Sequence, residues 1–236
     1  MAAQPDAIDR RKRAAAEAAA AEIGDGMTVG LGTGSTAAFA IAAIARRMRD
    51  GLSVRAVATS ERTAAAALSM GIPLVAMDDV DSLDLAIDGV DEIDPLFRAI
   101  KGAGGAMLRE KIVASAASRM IAIADASKFV DRLGARPVPI EVLPLARAFV
   151  ARRVTLLGGT AHLRAGTDGP ARSDQGNVIL DCAFGPVSDP AALAVALSAI
   201  PGALGHGLFV EEIDALYLGD GDGVIRRDRP PPTADG

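Results

Sequence analysis

Short apolar segments alternate with longer helix-like stretches through the first half of this 236-residue sequence. The segments MTVGL, VRAVA, PLVAM, LDLAI and MIAIA have the length of buried β-strands, and residues 37–48, 61–70 and 105–118 between them have the length of helices. Strands that alternate with helices form a mainly parallel sheet, because each helix carries the chain back across a face of that sheet. We therefore predict an α/β fold with a Rossmann-like parallel-sheet domain.

The pattern changes near Arg136. The segments PVPIEVL, AHLRA, NVILDCAF and GHGLFV are predicted strands, and residues 145–158 and 189–200 are predicted helices. Their order, β-α-β-β-α-β, is typical of a ferredoxin-like α+β domain. A final hairpin, DALYLGDGDGVIRR, is expected to return to the first sheet. We predict a Rossmann-like catalytic domain of residues 1–134 and 208–236, and a smaller ferredoxin-like domain of residues 135–207.

Composition excludes several classes of protein. A net charge of -5 disfavours nucleic-acid binding, because the phosphate backbone attracts basic surfaces. The sequence contains no run of about 18 apolar residues that would span a membrane, and charged residues interrupt its alanine-rich start, unlike a signal peptide. The single cysteine, Cys182, permits no internal disulfide. We therefore expect a cytoplasmic protein with neither nucleic-acid nor membrane partners.

Polar residues follow four of the predicted strands. Residues 32–36 follow MTVGL, residues 59–60 follow VRAVA, residues 88–92 follow LDLAI, and residues 125–128 follow MIAIA. Ligands of parallel sheets bind at the carboxyl ends of the strands, so these segments are expected to share one edge. Loops are polar in any case, and the placement alone does not identify a ligand.

The segment GLGTGSTA leads from a strand into a helix, where backbone N–H groups converge on an anion. It meets the dinucleotide fingerprint only in part, because Ser35 stands at the third glycine position and no acidic residue ends the second strand. An NAD-dependent oxidoreductase is therefore disfavoured. The hydroxyls of Thr33, Ser35 and Thr36 favour a phosphate or a sugar, and a plain strand-to-helix turn is the alternative.

The segment DGVDEID carries four carboxylates, which repel one another and are costly to bury. A metal site is disfavoured, because His162 and His206 lie in the second predicted domain and the spacing does not match a calcium loop. Asp88 and Asp91 are best placed to face a ligand, with a solvated loop as the alternative. The remaining two, Glu92 and Asp94, are predicted to be structural or solvated.

The segment IKGAGGAMLREKIVASA places Lys101 and a glycine loop before a helix. Periodicity puts Glu110 on the face of this helix opposite its apolar residues, so the pattern alone predicts a solvated surface glutamate. Three of the four lysines, Lys101, Lys111 and Lys128, fall in the predicted site region. The predicted apolar stripe consists of Leu108, Ile112, Val113 and Ala116.

Taken together, GLGTGSTA, AIDGVDEID, IKGAGGAMLREKI, IADASK and PIEVLP resemble the motifs of the ribose-5-phosphate isomerase A family. SDQGNVILDC and IPGALGHGLF extend this resemblance over nearly the whole chain. It implies an aldose–ketose isomerase that interconverts D-ribose 5-phosphate and D-ribulose 5-phosphate through an enediolate. It further implies a step of the non-oxidative branch of the pentose phosphate pathway, no metal or organic cofactor, and a homodimer or homotetramer.

The resemblance also implies roles for individual residues. Glu110 would be the catalytic base, Lys101 would stabilise oxyanion charge, and Asp88 would move a proton between substrate oxygens or help to open the sugar ring. Asp91 would bind hydroxyl groups. The implied substrate-binding residues are Thr33, Gly34, Ser35, Thr36, Asp88, Gly89, Val90, Asp91, Lys101, Gly102, Ala103, Gly104 and Lys128.

Several points stay open. Lys12 is either a phosphate ligand or a surface charge. Ala103 stands where the family usually has glycine, and Gln175 where asparagine is common. A non-catalytic sugar-phosphate sensor is the alternative class of function, although the short stretch before the first strand leaves little room for a DNA-reading segment. Such a sensor would not require a carboxylate at Glu110, the residue on which periodicity and resemblance disagree.

Overall fold

The structure is a computed structural model that describes residues 5–221 and 223–230. Its helices are α1 (Pro5–Ala20), α2 (Ser35–Arg49), α3 (Glu61–Ser69), α4 (Met107–Ala116), α5 (Arg147–Leu156) and α6 (Pro190–Ser198). Its strands are β1 (Thr28–Leu31), β2 (Arg55–Ala58), β3 (Leu85–Gly89), β4 (Glu92–Ile93), β5 (Ala99–Ile100), β6 (Met120–Asp125), β7 (Val138–Val142), β8 (Thr160–Leu163), β9 (Ala165–Gly166), β10 (Gly169–Pro170), β11 (Val178–Ala183), β12 (Ala203–His206), β13 (Leu208–Phe209), β14 (Ala215–Asp220) and β15 (Gly223–Asp228).

The largest sheet is mainly parallel and has the strand order β15-β14-β6-β3-β1-β2. All neighbours in it are parallel except β14 and β15, which form the predicted hairpin. The register pairs Leu31 with Ile87 and Gly89 with Ile123, so β1, β3 and β6 end at one edge. This arrangement confirms the Rossmann-like prediction and brings three of the polar segments together.

Helices cover both faces of this sheet, which explains why its strands are continuous apolar runs. On one side, α1 packs against α2 and against β6 and β14. Buried alanines of α1, including Ala15, Ala16 and Ala19, let these elements approach closely. On the other side, Val113 and Ala114 of α4 pack in a second cluster with β3 and β6.

A second sheet is antiparallel and has the order β12-β7-β11-β8. Together with α5 and α6 it forms the β-α-β-β-α-β unit, which confirms the ferredoxin-like prediction. Helix α4 contacts β3 of the first sheet and both β7 and β12 of the second. The helix that follows the glycine loop therefore lies between the two sheets.

Two predicted strands differ from the structure. Residues 73–77 form only an isolated bridge between Leu74 and Ala56, because the chain then turns into a 3-10 helix at Met77–Asp79. The segment GHGLFV divides at Gly207 into β12 and β13, which join different sheets. A Cβ atom at Gly207 would lie 2.1 Å from the Lys101 carbonyl oxygen, so this crossing requires glycine.

The predicted domain boundaries stay predictions. The range 208–236 begins at β13, which pairs with β5 in a small sheet that also contains β4. Residues 1–4, 222 and 231–236 of the predicted catalytic domain lie outside the described residues. No helix in residues 5–221 and 223–230 has both the length and the apolar character needed to cross a membrane.

Candidate active site

The loops at the carboxyl ends of β1, β3 and β6, together with the glycine loop before α4, surround a cavity of about 230 Å³. Every residue predicted to bind substrate lines it except Asp88, which is buried beside it. Lys12 also lines the cavity, which favours the phosphate-ligand alternative over a surface charge. The lining residues are Lys12, Thr33, Gly34, Ser35, Thr36, Gly89, Val90, Asp91, Lys101, Gly102, Ala103, Gly104, Glu110 and Lys128.

Three buried charged side chains meet at this cavity: Lys101 and Glu110 line it, and Asp88 lies behind them. The Nζ atom of Lys101 lies 2.8 Å from Asp88 Oδ2 and 3.3 Å from Glu110 Oε2, and it donates a hydrogen bond to the Gly89 carbonyl. The exposed fractions of Lys101, Asp88 and Glu110 are 2%, 3% and 4%. The cost of burying these charges is offset only because opposite charges meet.

Glu110 is buried, so the surface position predicted from periodicity is wrong. The predicted stripe is also wrong in part, because Ile112 is 46% exposed and Leu108 is only half-buried. The error has a physical cause: α4 lies between two sheets, and a lysine from the preceding loop compensates the charge of its glutamate. The buried face of α4 consists of Met107, Glu110, Val113 and Ala114.

Burial raises the pKa of Glu110 to about 8, although the nearby Lys101 ammonium opposes this shift and Asp88 adds to it. Burial likewise raises the pKa of Asp88, against the opposing effects of Lys101 and of the Gly89 and Thr33 amides. Burial alone would lower the pKa of Lys101, but the two carboxylates outweigh it and raise that pKa. Glu110 can therefore accept and release a proton near neutral pH.

Asp88, on β3, connects this strand to the loop that follows β1. Its Oδ1 atom accepts hydrogen bonds from the Thr33 N–H at 3.0 Å and the Gly89 N–H at 2.7 Å. A Cβ atom at position 32 would lie 2.0 Å from the same oxygen, so only Gly32 permits this approach. Because Oδ2 faces Lys101, the carboxylate holds the lysine and the β1 loop in place.

Thr33 lines the cavity, but its hydroxyl points into the protein. Its Oγ1 atom lies 2.8 Å from Thr59 Oγ1, 2.8 Å from Ser60 Oγ and 3.1 Å from Thr63 Oγ1. The Thr33 hydroxyl donates to Ser60 Oγ, while the hydroxyls of Thr59 and Thr63 donate to the backbone carbonyls of Leu31 and Gly32. The Thr33 side chain therefore fixes the loop, and the substrate contact expected for this residue stays a prediction.

Other residues that line the cavity have groups that suit an anion. Lys12 donates to Ser35 Oγ at 3.0 Å, and Ser35 is the first residue of α2, whose first turn contains no acidic residue. Lys128 lines the same cavity. Lys111 does not line it, contrary to the sequence-based expectation, because it pairs with Glu212 at 2.8 Å and lies over the Phe209 ring.

The remaining carboxylates of DGVDEID have separate roles. Asp91 lines the cavity and accepts from the Ala103 N–H at 2.9 Å. Glu92 accepts from the N–H groups of Gly134 and Arg136, and Asp94 pairs with Arg98. Both are buried structural groups. Within the described parts of the chain, no three His, Cys, Asp or Glu side chains are grouped to hold a metal ion.

The loop that carries Gln175 does not line the cavity but contacts its supporting helices. Asp174 accepts from the Glu61 N–H at the start of α3 at 2.8 Å and lies 3.5 Å from Arg109 of α4. A larger groove of about 820 Å³ lies beside this loop. Its lining is mainly apolar, so the charged cavity is the candidate for catalysis.

The chain is similar to proteins of one family over most of its length. The family model of ribose 5-phosphate isomerase A (phosphoriboisomerase A) matches residues 55–223. A ribose-5-phosphate isomerase A from Sphingopyxis alaskensis is 50% identical over 92% of this chain and 96% of its own. Another, from Roseiflexus castenholzii, is 49% identical over 93% and 95%, respectively.

Solved structures agree with the sequence comparison. A D-ribose-5-phosphate isomerase in complex with phospho-erythronic acid has a TM-score of 0.92 and 37% identity, over 94% of this chain and 99% of that one. The ribose 5-phosphate isomerase A from Methanocaldococcus jannaschii has a TM-score of 0.89 and 37% identity, over 92% and 98%. The chain therefore belongs to the ribose 5-phosphate isomerase A family and is an enzyme of this type.

Proposed function

We propose that this enzyme interconverts D-ribose 5-phosphate and D-ribulose 5-phosphate through an enediolate, with Glu110 as the general base. The observation that carries the proposal is the buried Asp88–Lys101–Glu110 cluster, of which Lys101 and Glu110 line a cavity that Lys12 and Lys128 also line. In metabolism, this reaction belongs to the non-oxidative branch of the pentose phosphate pathway.

The reaction moves a carbonyl group from C1 to C2, which requires removal of the weakly acidic C2 hydrogen as a proton. The Glu110 carboxylate takes this proton, and an enediolate forms. Glu110 then returns the proton to C1, while a proton moves between the two oxygens. A carboxylate with a pKa near the working pH is suited to both steps.

Lys101 would stabilise the negative charge that develops on the substrate oxygens, because its ammonium lies in the cavity wall and is held in place before the reaction. Asp88 does not line the cavity, and both its oxygens already have protein partners. We therefore assign Asp88 to holding Lys101, and any proton that it exchanges with the substrate would pass through the lysine.

The phosphate would bind at the start of α2, where backbone N–H groups, the Ser35 hydroxyl, Lys12 and Lys128 converge. The sugar hydroxyls would then extend toward Asp91 and the glycine loop. In this orientation a linear five-carbon sugar phosphate would place its reacting carbons near Glu110.

The test is an assay of ribose 5-phosphate in deuterated water, with EDTA present and without nucleotide. We expect ketose formation together with deuterium incorporation at the carbon that receives the proton. Binding without turnover would favour the sugar-phosphate sensor, and turnover only after a divalent ion is restored would contradict a metal-free reaction. Phospho-erythronic acid should compete with substrate, because its planar carboxylate resembles the two oxygens of an enediolate.

We further propose a homodimer or homotetramer in the cytoplasm, with sugar phosphate as ligand and neither nucleic acid nor membrane as partner. Apolar side chains exposed around α5 and α6 support self-association, among them Leu145 at 91%, Leu156 at 66% and Val195 at 71%. Sedimentation equilibrium of the purified chain would distinguish dimer from tetramer, and a monomer at micromolar concentration would contradict the proposal.

A further inference from the structure

Arg164, next to the second sheet, forms hydrogen bonds with the glycine loop of the active site, residues 102–105. It follows β8, and its Nη1 atom donates to the carbonyl oxygens of Gly102 and Ala103, both at 3.1 Å. No family motif quoted above contains Arg164, and it does not line the catalytic cavity. It lines a neighbouring cavity of about 390 Å³, which shares Asp91, Ala103 and Lys128 with the catalytic one.

Asp181 holds the Arg164 side chain in one orientation. Its two carboxylate oxygens accept from Arg164 Nε at 2.9 Å and Nη2 at 2.5 Å. Such a two-point contact fixes the plane of the guanidinium group. Asp181 lies on β11, and the backbone N–H of Arg164 donates to the Ile179 carbonyl of the same strand at 2.9 Å. Backbone and side-chain bonds thus attach Arg164 to the second sheet.

The orientation of two peptide groups follows from these contacts. In a planar trans peptide the C=O and N–H bonds point in opposite directions. The Gly102 carbonyl faces Arg164, and the N–H of the same peptide, on Ala103, donates to Asp91 Oδ2 at 2.9 Å. The Ala103 carbonyl also faces Arg164, so the Gly104 N–H points away from Arg164, and Gly104 lines the catalytic cavity.

We propose that Arg164, held by Asp181, is a positioning residue that directs the Gly104 N–H toward the substrate oxygens that become the enediolate. The inference rests on the isomerase function proposed above. It gives the second sheet a role in the chemistry, because a donor fixed before the reaction stabilises the developing charge without reorganisation. Nothing in this role requires Arg164 to touch the substrate.

The test compares Arg164→Gln with Arg172→Gln. Arg172 is an exposed arginine that follows β10 and donates to the Gly176 carbonyl at 2.7 Å, away from the glycine loop. In Arg164→Gln we expect kcat to fall by about 10- to 100-fold, with KM for ribose 5-phosphate changed by less than about threefold. Inhibition by phospho-erythronic acid should weaken in parallel with kcat. The Gly104 N–H would bind an oxygen of the inhibitor carboxylate in the same way as an oxygen of the enediolate.

Arg172→Gln should keep the wild-type values. A kcat of Arg164→Gln within about threefold of wild type would overturn the proposal, as would equal losses in both variants. If Arg164→Gln does not fold, Asp181→Asn serves instead, with an expected loss in kcat of about 3- to 10-fold and the same change in inhibition. A wild type that does not isomerise ribose 5-phosphate contradicts the proposed function. An active wild type whose kcat is unchanged by Arg164→Gln contradicts only this inference.

Discussion

Glu110 Oε2 lies 3.3 Å from the Nζ atom of Lys101, and both side chains are almost completely buried. A comparable pair on the surface would contribute little, because water screens it. Inside the protein the contact keeps Lys101 charged, whereas burial raises the pKa of Glu110 although the Lys101 ammonium opposes that shift. The burial of these two groups is thus linked to their affinity for protons.

Replacing Glu110 with glutamine should abolish most of the activity. The amide keeps the shape of the side chain but cannot take the C2 proton as a carboxylate does, so kcat should fall by about 10²–10⁴-fold. Exchange of the C2 hydrogen with deuterated water should fall in parallel. Glu61→Gln, at an exposed position on α3, is the matched control. Near-wild-type turnover in folded Glu110→Gln would move the search for the base to Asp91 or Asp88.

The rate should depend on pH through Glu110. Burial raises its pKa to about 8, so below that pH the carboxyl group of the free enzyme carries a proton and cannot act as a base. We expect kcat/KM to rise by up to about tenfold per pH unit below this pKa and to level off above it. Steady-state kinetics from about pH 6.5 to 9.5 avoids protonation of the substrate phosphate, whose second pKa is about 6. A flat profile over this range would contradict the assignment.

Stability should also report the raised pKa of Glu110. Between its ordinary pKa of 4.5 and about 8, the folded state binds more protons than the unfolded state, so this group makes the free energy of unfolding fall as pH rises. Relative to Glu110→Gln, the wild type should lose up to about 1.4 kcal/mol per pH unit in that window. Urea unfolding of both proteins at several pH values measures the difference. Parallel curves for the two would show that the folded-state pKa is not raised.

Lys128 should affect substrate binding more than turnover. If its ammonium contacts the phosphate equally in the ground and transition states, Lys128→Ala raises KM for ribose 5-phosphate while kcat changes little. Loss of a charge-assisted hydrogen bond of about 1.5–3 kcal/mol corresponds to an increase in KM of roughly 10- to 100-fold. Arg152→Ala, an exposed cation of α5, controls for overall charge. An unchanged KM in Lys128→Ala would remove this residue from the site.

The sequence predicts the architecture well, because the strands of both sheets can be identified from short segments of sequence. Strands of the parallel sheet are buried on both faces and appear as continuous apolar runs, and the glycine-rich turns after them mark where the chain approaches a ligand. Segment 73–77 is one exception, because an apolar run of five residues has the length of a strand whether or not it pairs with a neighbouring strand.

Side-chain environment was harder to predict than architecture. The burial of Glu110 depends on Lys101 and on the second sheet, and no periodicity within α4 contains that information. Likewise, the inward hydroxyl of Thr33 depends on partners in and before α3. In the sequence, Arg164 and Asp181 resemble ordinary surface charges. Only the fold shows that Asp181 holds Arg164 against a loop 62 residues earlier in the chain.

The position of β14 has a consequence for biosynthesis. It lies between β6 and β15 in the six-stranded sheet, but its residues follow the entire ferredoxin-like unit in the chain. At about 5–20 residues per second, a ribosome needs roughly 5–20 s to proceed from the end of β6 to the end of β14. During that interval β6 has an open edge, and the antiparallel sheet receives its last strand, β12, before β14 is synthesised, so it can fold first. The backbone N–H of Lys101 donates to the Gly207 carbonyl, which is synthesised more than 100 residues later. The nascent chain therefore completes the surroundings of Lys101 only after the second sheet has been synthesised.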